Sequence, residues 1–165
     1  MSDNIIWSKK PSQILNLSKF IILAFLLILL AVLPGSVTNI ELIKSFRVIH
    51  LFLLICVIYF IYTLFSFLYI FSIRYELTEE RLLLYSGFLS QIREGVELYR
   101  VNDYEVFVPL YLRIFGLGNV TIYSTDVKTS KSTLVAIKYP YKVADSIRDN
   151  VEKIKIAKNI HFVKY

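Results

Sequence analysis

Two long apolar runs constrain this chain more than any other feature of its sequence. Residues 20–33 include no polar side chain, and within residues 48–73 only His50 can carry a charge. As a helix, the 26 residues of the second run extend about 39 Å, whereas the hydrocarbon core of a bilayer is about 30 Å thick. The second run is therefore long enough to cross a membrane with some tilt.

The first run is shorter, but it can be extended at its N-terminal end. It reaches a spanning length if the helix begins at Ile14 and the Lys19 amine reaches the interface, and Pro34 and Gly35 end it. Basic residues before a short apolar core are also typical of a cleaved signal peptide, which is the alternative. The residues AVLPGS lack the small-x-small pattern of a cleavage site. The sequence thus predicts two transmembrane helices, about 20–37 and 48–73.

The basic residues around the two runs predict their orientation. Lys44 and Arg47 lie in the connecting loop, whereas the outer flanks carry Lys9, Lys10, Lys19, Arg74 and Arg81. Because basic residues favour the cytoplasmic side, both termini are expected there. The expected organisation is an N-terminal segment 1–19, the two spans within 20–73, a cytoplasmic domain 74–158 and a tail 159–165. The one cysteine, Cys56, lies in the second span, so no disulfide framework is expected.

Short alternating segments after residue 73 predict β-hairpins and one helix. SIRYELTEERLLLYSG has two apolar runs joined by polar residues, with Gly87 after the second, and further strands are expected in EGVELYRV, DYEVFVP, NVTIYS and 132–139. Pro140 then occupies the first position of a helix whose apolar face consists of Val143, Ala144, Ile147, Val151 and Ile154. The predicted fold class is a membrane α-helical hairpin plus a mainly-β barrel or sandwich capped by a C-terminal helix.

The glycines of YLRIFGLGNVTIYS, Gly116 and Gly118, invite comparison with a phosphate-binding loop. Such a loop requires a strand, then glycines, then a helix, whereas the order here is a helical turn, a glycine and a strand. We therefore expect no nucleotide binding. Gly116 is expected to end the turn with a positive φ, so valine at Gly116 should disrupt folding. Gly118 is expected to begin the next strand and to tolerate alanine better.

The residues that usually perform catalysis are scarce. The chain has two histidines, His50 and His161, and it contains no metal-ligand or nucleophile motif. We expect no enzyme activity, no metal and no cofactor. His50 is expected to be a polar cap near the interface rather than part of a proton relay, because neither span contains an acidic partner. The net charge of residues 74–165 is only +3, from 14 Lys and Arg against 11 Asp and Glu, so no nucleic-acid binding is expected.

A set of lysines on the soluble domain is the main candidate binding surface. Its members are Lys128, Lys131, Lys138 and Lys142. They are either a solvated surface or a contact with anionic lipid head groups, to which each lysine would contribute about 1 kcal/mol. Aromatic residues crowd the second half of the second span, as in an interfacial belt or a helix packing face.

Four short stretches together resemble the bacterial pleckstrin-homology-like (bacterial PH) domain family, in its form with two membrane helices before the domain. They are IWSKKPSQILNL at 6–17, YELTEERLLLYSGFL at 75–89, RIFGLGNVTIYST at 113–125 and LVAIKYPYKVADSI at 134–147. The sequence departs from the family pattern at 108–110, where Val-Pro-Leu replaces the more usual polar pair. The resemblance implies a PH-like fold in the bacterial cytoplasmic (inner) membrane, a tendency to self-associate, and no activity.

Two functions follow as hypotheses. The first is a non-enzymatic scaffold or protein-interaction module, which forms homo-oligomers or is an accessory subunit of an envelope membrane complex. The alternative is a module that binds an anionic lipid or a small ligand at the cytoplasmic membrane face. The structural positions on which the domain should depend are Gly116, Gly118, Pro140, Ile147 and Val151.

Overall fold

The computed structural model describes residues 4–32, 42–127 and 129–158, with only the backbone for 42–48. The end of the first predicted span, Lys128 and the tail 159–165 lie outside these residues. The chain divides into two compact units. The first, here called the β unit, consists of Met1–Ser12 and Tyr69–Tyr165, and the second, the helical unit, of Gln13–Leu68. The helical unit is thus an insertion between two parts of the β unit.

Two helices correspond to the apolar runs. After a 3-10 turn at Gln13–Asn16, α1 spans Leu17–Val32, and α2 spans Leu42–Ser72. Both are long and apolar enough to cross a membrane. The second helix begins earlier than predicted, at Leu42, and includes Lys44 and Arg47, which the prediction assigned to the connecting loop.

Within the residues that the structure describes, seven strands form two antiparallel sheets. The first sheet has the order β1-β2-β3-β4, with β1 Ile5–Lys9, β2 Arg74–Thr78, β3 Arg81–Ser86 and β4 Ile92–Glu97. The second has the order β5-β6-β7, with β5 Val101–Phe107, β6 Leu117–Ser124 and β7 Lys131–Lys138. A short helix α3, Leu110–Arg113, connects β5 to β6, and α4, Pro140–Ala157, follows β7. The prediction of a mainly-β unit with a C-terminal helix is confirmed.

The predicted first hairpin is confirmed in its position and its turn. Strands β2 and β3 pair with Arg74 opposite Tyr85, and the Thr78 hydroxyl bonds both the N–H and the C=O of Arg81 across the turn. Gly87 follows β3 with a φ of +103°, a conformation that glycine adopts without steric cost. The polar residues between the two apolar runs therefore form the turn of this hairpin.

Strand β1 is the element that sequence analysis did not anticipate. It lies in the N-terminal segment, and it pairs with β2 so that Lys9 is opposite Tyr75. The Trp7 indole N–H donates to the Ser146 hydroxyl at 3.2 Å, which joins β1 to α4. Residues 5–9 are therefore part of the same sheet as the residues that follow the second helix.

The apolar face of α4 packs into the core between the sheets, as predicted. Its buried residues are Pro140, Val143, Ala144, Ile147 and Val151, and Ile154 packs against them partly buried. They contact core residues of both sheets, among them Leu77, Leu82, Val120 and Ile122. Pro140 at the first helical turn is also confirmed.

The two glycines of the α3–β6 region differ from each other in their surroundings. Gly116 has a φ of +67° and open space around it, so its predicted role at the end of the turn is confirmed. At Gly118, however, a Cβ atom would lie 2.8 Å from Pro140 Cγ and 2.9 Å from Val108 Cγ2. Alanine at Gly118 would therefore require Pro140 or Val108 to move, which counts against the expectation that this position tolerates alanine better.

Candidate functional site

The predicted lysine surface does not form one cluster. Lys131 begins β7 opposite Tyr123, and Lys138 ends it opposite Leu117. With eight residues in the strand at about 3.3 Å each, the two α-carbons are about 23 Å apart. Lys131 also lies in the strand itself, which was expected to begin only at residue 132. Lys128 lies in the part of the chain that the structure does not describe.

Lys138 and Lys142 do converge, together with Lys9. Their amines lie 5.2 Å and 5.5 Å from the ring centroid of Tyr139, and the Lys9 amine donates to the Lys138 carbonyl at 3.4 Å. We call the residues Lys9, Lys138, Lys142 and Tyr139 the amine cluster. Sequence analysis missed Lys9, because only the pairing of β1 with β2 brings it here.

The backbone at Tyr139 explains why the amine cluster forms. Tyr139 is in the left-handed region, with φ 56° and ψ 60°, and its N–H bonds the Gly116 carbonyl at 3.3 Å. This sharp reversal ends β7 and starts α4, so Lys138 and Lys142 point toward the same ring. The first turn of α4 contains no acidic residue. Amines and a helix N-terminus both favour anions, so the cluster can attract a phosphate or carboxylate group.

Two hollows flank this region of the β unit. One of about 240 Å³ has an apolar lining that includes Val108, Leu117, Tyr139 and Tyr141. A larger open groove of about 790 Å³ runs along α4 and is lined by Lys142, Asp145, Asp149 and Lys153 among others. Its lining has two lysines and three carboxylates, the third being that of Glu79, so it does not favour an anion.

Two groups outside the amine cluster have a pKa that burial shifts. Burial raises the pKa of the Tyr75 phenol, and the hydrogen bond that its oxygen accepts from the Val135 N–H lowers the pKa and offsets part of this rise. Burial lowers the pKa of Lys155, whose amine donates to the Val101 carbonyl at 2.7 Å. Both groups tie elements of the fold together. Among the residues that the structure describes, no three His, Cys, Asp or Glu side chains are grouped to hold a metal ion.

The helical unit contains a polar cluster that sequence analysis also missed. The Asn16 side chain is fully buried; its amide donates to the Ser66 carbonyl at 3.3 Å and its oxygen accepts from the Ser66 hydroxyl at 2.7 Å. The Lys19 amine contacts Asn16 Oδ1 at 3.2 Å and the Ser66 hydroxyl, and lies over the Tyr62 ring. Gln13 donates to the Phe67 carbonyl at 3.3 Å. These contacts join the start of α1 to the second half of α2.

Comparison with known proteins identifies the family. A family model described as a bacterial PH domain matches residues 13–151, a range that begins after β1 and ends within α4. Neither the comparison with curated proteins nor that with solved structures found a match. PH-like domains are generally non-catalytic binding modules, and no enzyme family is indicated. The resemblance drawn from the four sequence stretches is confirmed, and the chain belongs to the bacterial PH domain family.

Proposed function

We propose that this protein is a non-enzymatic, membrane-anchored bacterial PH-like module that assembles with other copies of itself or with other proteins of an envelope membrane complex. We place it in the bacterial cytoplasmic (inner) membrane with two spans and both termini in the cytoplasm. The length and composition of α1 and α2 support the anchoring. The pairing of β1 with β2 supports an even number of crossings, because the two strands precede and follow the helical unit.

The observation that carries the proposal is the outer edge of β4. This strand is the last in its sheet, and its residues Ile92–Gly95 are exposed. No described strand pairs with that edge, so its backbone donors and acceptors are available to a partner strand. Edge pairing is a common way for one chain to extend the sheet of another.

The sequence of β4 is complementary to itself in one antiparallel register. If Arg93 of one copy lies opposite Glu94 of a second copy, then Glu94 of the first lies opposite Arg93 of the second. The same register places Ile92 opposite Gly95. Opposite charges directly across an antiparallel pair stabilise it by roughly 0.2–1 kcal/mol, and like charges destabilise it. Self-association through β4 is therefore the specific form of the proposal.

A charge exchange tests this interface in the full-length chain. Two differently tagged copies are expressed together, solubilised in mild detergent, and purified through one tag. We expect Arg93→Glu to reduce recovery of the second copy, and Arg93→Glu combined with Glu94→Arg to restore it. Arg148→Glu on the exposed face of α4 is the matched control and should leave recovery unchanged. Equal recovery for all variants would exclude β4 as the interface.

A second function, binding of an anionic lipid or a small anionic ligand, is favoured by the amine cluster. Its three amines approach one aromatic ring and one carbonyl without an acidic residue in the adjoining helix turn. Purified protein should then retain phosphatidylglycerol that mass spectrometry detects. Lys138→Gln with Lys142→Gln should lower the retained amount, and Lys131→Gln at the other end of β7 should not. Equal retention of phosphatidylglycerol by the wild type, the double variant and Lys131→Gln would contradict this function.

A further inference from the structure

The exposed apolar side chains of the β unit are unevenly distributed. Two connections concentrate them: the β3–β4 connection with Phe88 and Leu89, and the β5–β6 connection with Leu110, Tyr111, Ile114 and Phe115. We call these six residues the apolar rim. Leu89 is 86% exposed and Ile114 74% exposed, so they protrude rather than cover the core. Apolar patches of this kind mark contacts with proteins or membranes.

Both connections lie at one end of the unit. In the first sheet, Lys9 is opposite Tyr75 and Ser86 is opposite Ile92 at this end. In the second sheet, Leu117 is opposite Lys138, and the hydrogen bond from Lys9 to the Lys138 carbonyl joins the two sheets there. The β6–β7 turn with Val127 is at the opposite end.

The same end contains both points at which the chain passes between the β unit and the apolar helices. Ser12, the last residue before the passage to α1, donates its N–H to the Ala136 carbonyl at 3.0 Å. Phe71 and Ser72, the last residues of α2, line a cavity of about 410 Å³ together with Gly87, next to Phe88. The Lys10 amine lies 4.7 Å from the centroid of the Phe71 ring. The apolar rim therefore lies at the same end of the unit as the positions where the chain leaves it for the helices.

Charge separates the two ends as well. Basic side chains near the apolar rim are Lys9, Lys10, Arg93, Arg113, Lys138 and Lys142. The buried carboxylate Glu76 at this end is paired with Arg74. At the opposite end, Arg81 and Arg100 are both paired with Glu97, and Arg100 also with Asp126. Even with Glu94 beside Arg93, the end that contains the apolar rim therefore has more basic than acidic side chains, whereas Arg81 and Arg100 at the opposite end are paired with carboxylates.

We propose that the apolar rim rests on the anionic surface of the bilayer that α1 and α2 cross, with Leu89 and Ile114 inserted at the boundary between head groups and acyl chains. The inference rests on the membrane anchoring in the proposed function. Aromatic side chains with basic neighbours are the composition that proteins use at this boundary. A bilayer contacts a whole end of a domain at once, which fits two separate connections at the end that contains the chain passages.

Site-specific fluorescence tests the insertion in the full-length protein. Cys56, the single cysteine, is replaced by serine, and Leu89→Cys is labelled with NBD and reconstituted in vesicles of phosphatidylethanolamine and phosphatidylglycerol. Val127→Cys is the matched control, because Val127 is 95% exposed at the opposite end. We expect the Leu89 label to show a blue-shifted emission, a several-fold lower quenching by iodide, and strong quenching by doxyl-labelled lipid. The Val127 label should respond as in water.

The outcomes separate this inference from the proposed function. Vesicle-bound protein in which both labels are equally quenched by iodide would overturn the insertion and leave the anchoring intact. A Leu89 label that is shielded from iodide but not quenched by doxyl lipid would indicate a protein partner on the apolar rim and would also overturn it. Protein that does not float with the vesicles would refute both the insertion of the apolar rim and the membrane anchoring. Lys138→Gln with Lys142→Gln should weaken the doxyl quenching; unchanged quenching would refute the part assigned to the lysines.

Discussion

Gly118→Ala should destabilise the protein although alanine is the smallest side chain that can replace glycine. The new Cβ would lie 2.8 Å from Pro140 Cγ and 2.9 Å from Val108 Cγ2. Neither neighbour can move away easily. The Pro140 side chain is a ring fixed in the first turn of α4, and the backbone of Val108 is restricted because Pro109 follows it. Overpacking of this kind lowers the free energy of unfolding by about 1–3 kcal/mol. Replacing glycine by alanine also reduces the conformational entropy of the unfolded chain, which raises the free energy of unfolding by about 0.4–1 kcal/mol. We expect a net loss of about 1–2 kcal/mol.

The neighbouring glycine provides the matched control. Gly116 has open space around it, so only its φ of +67° limits substitution. Gly116→Asn should be nearly neutral, because asparagine enters the left-handed region readily, whereas Gly116→Val should cost on the order of 1–3 kcal/mol. At Gly118 the size of the side chain decides the result, and at Gly116 its conformational preference decides it.

Thermal unfolding of the detergent-purified full chain measures both effects. Trp7, the single tryptophan, lies in β1 and bonds Ser146 of α4, so its fluorescence reports on the β unit. For a chain of this size, a loss of 1–2 kcal/mol lowers the Tm by roughly 3–8 °C. Because Pro140 causes part of the overlap, Gly118→Ala combined with Pro140→Ala should cost less than the sum of the two single changes. A wild-type Tm for Gly118→Ala, or strict additivity in the double variant, would refute this reasoning.

Four further outcomes are expected. Ile147→Asp should lower the free energy of unfolding by roughly 3 kcal/mol or more, because it buries an unpaired carboxylate, whereas Arg148→Ala on the exposed face should change it little; similar Tm values would show that the helix face is wrongly assigned. Burial raises the pKa of Tyr75, so the unfolded chain loses this proton first as pH rises. The stability that Tyr75 contributes should therefore be fully present below the pKa of a free tyrosine, and it should be lost as the pH rises through the raised pKa of the folded protein. In a plot of Tm against pH, Tyr75→Phe should flatten the alkaline part; an unchanged plot would contradict this. A reporter fused after Tyr165 should be cytoplasmic, and protection of that terminus on the outer side would refute the topology. ATP, GTP and NAD should leave the Tm unchanged, and a clear shift with any of them would contradict the interpretation of the two glycines.

Local patterns in the sequence predicted the elements that depend on local physics. The hairpin around Thr78 follows from apolar runs joined by polar residues, and the buried face of α4 follows from the spacing of Val143, Ile147 and Val151. In each case the periodicity and the turn residues lie within one short stretch. The two apolar helices could be predicted for the same reason, because each apolar run is continuous in sequence.

The features that sequence analysis missed depend on contacts between distant residues. Nothing near Gly118 in sequence indicates that Pro140 packs against it. The lysine set was treated as one surface because its members are close in sequence, but an eight-residue strand separates Lys131 from Lys138. Lys9 reaches the amine cluster only because β1 pairs with a strand on the far side of the helical unit.

The position of β1 also sets an order of events during synthesis. β1 leaves the ribosome before either apolar helix, and its partner β2 leaves after both, so this pairing must close a loop that contains the entire helical unit. Loop closure grows less favourable by about 0.6 kcal/mol for each doubling of loop length. The bonds from Gln13 and Asn16 to the backbone of Phe67 and Ser66 shorten the effective loop, because they hold its two ends together once the helices have packed. Until then the outer edge of β2 stays open to other strands, so docking of β1 is the step that covers the edge of β2 in the newly made protein.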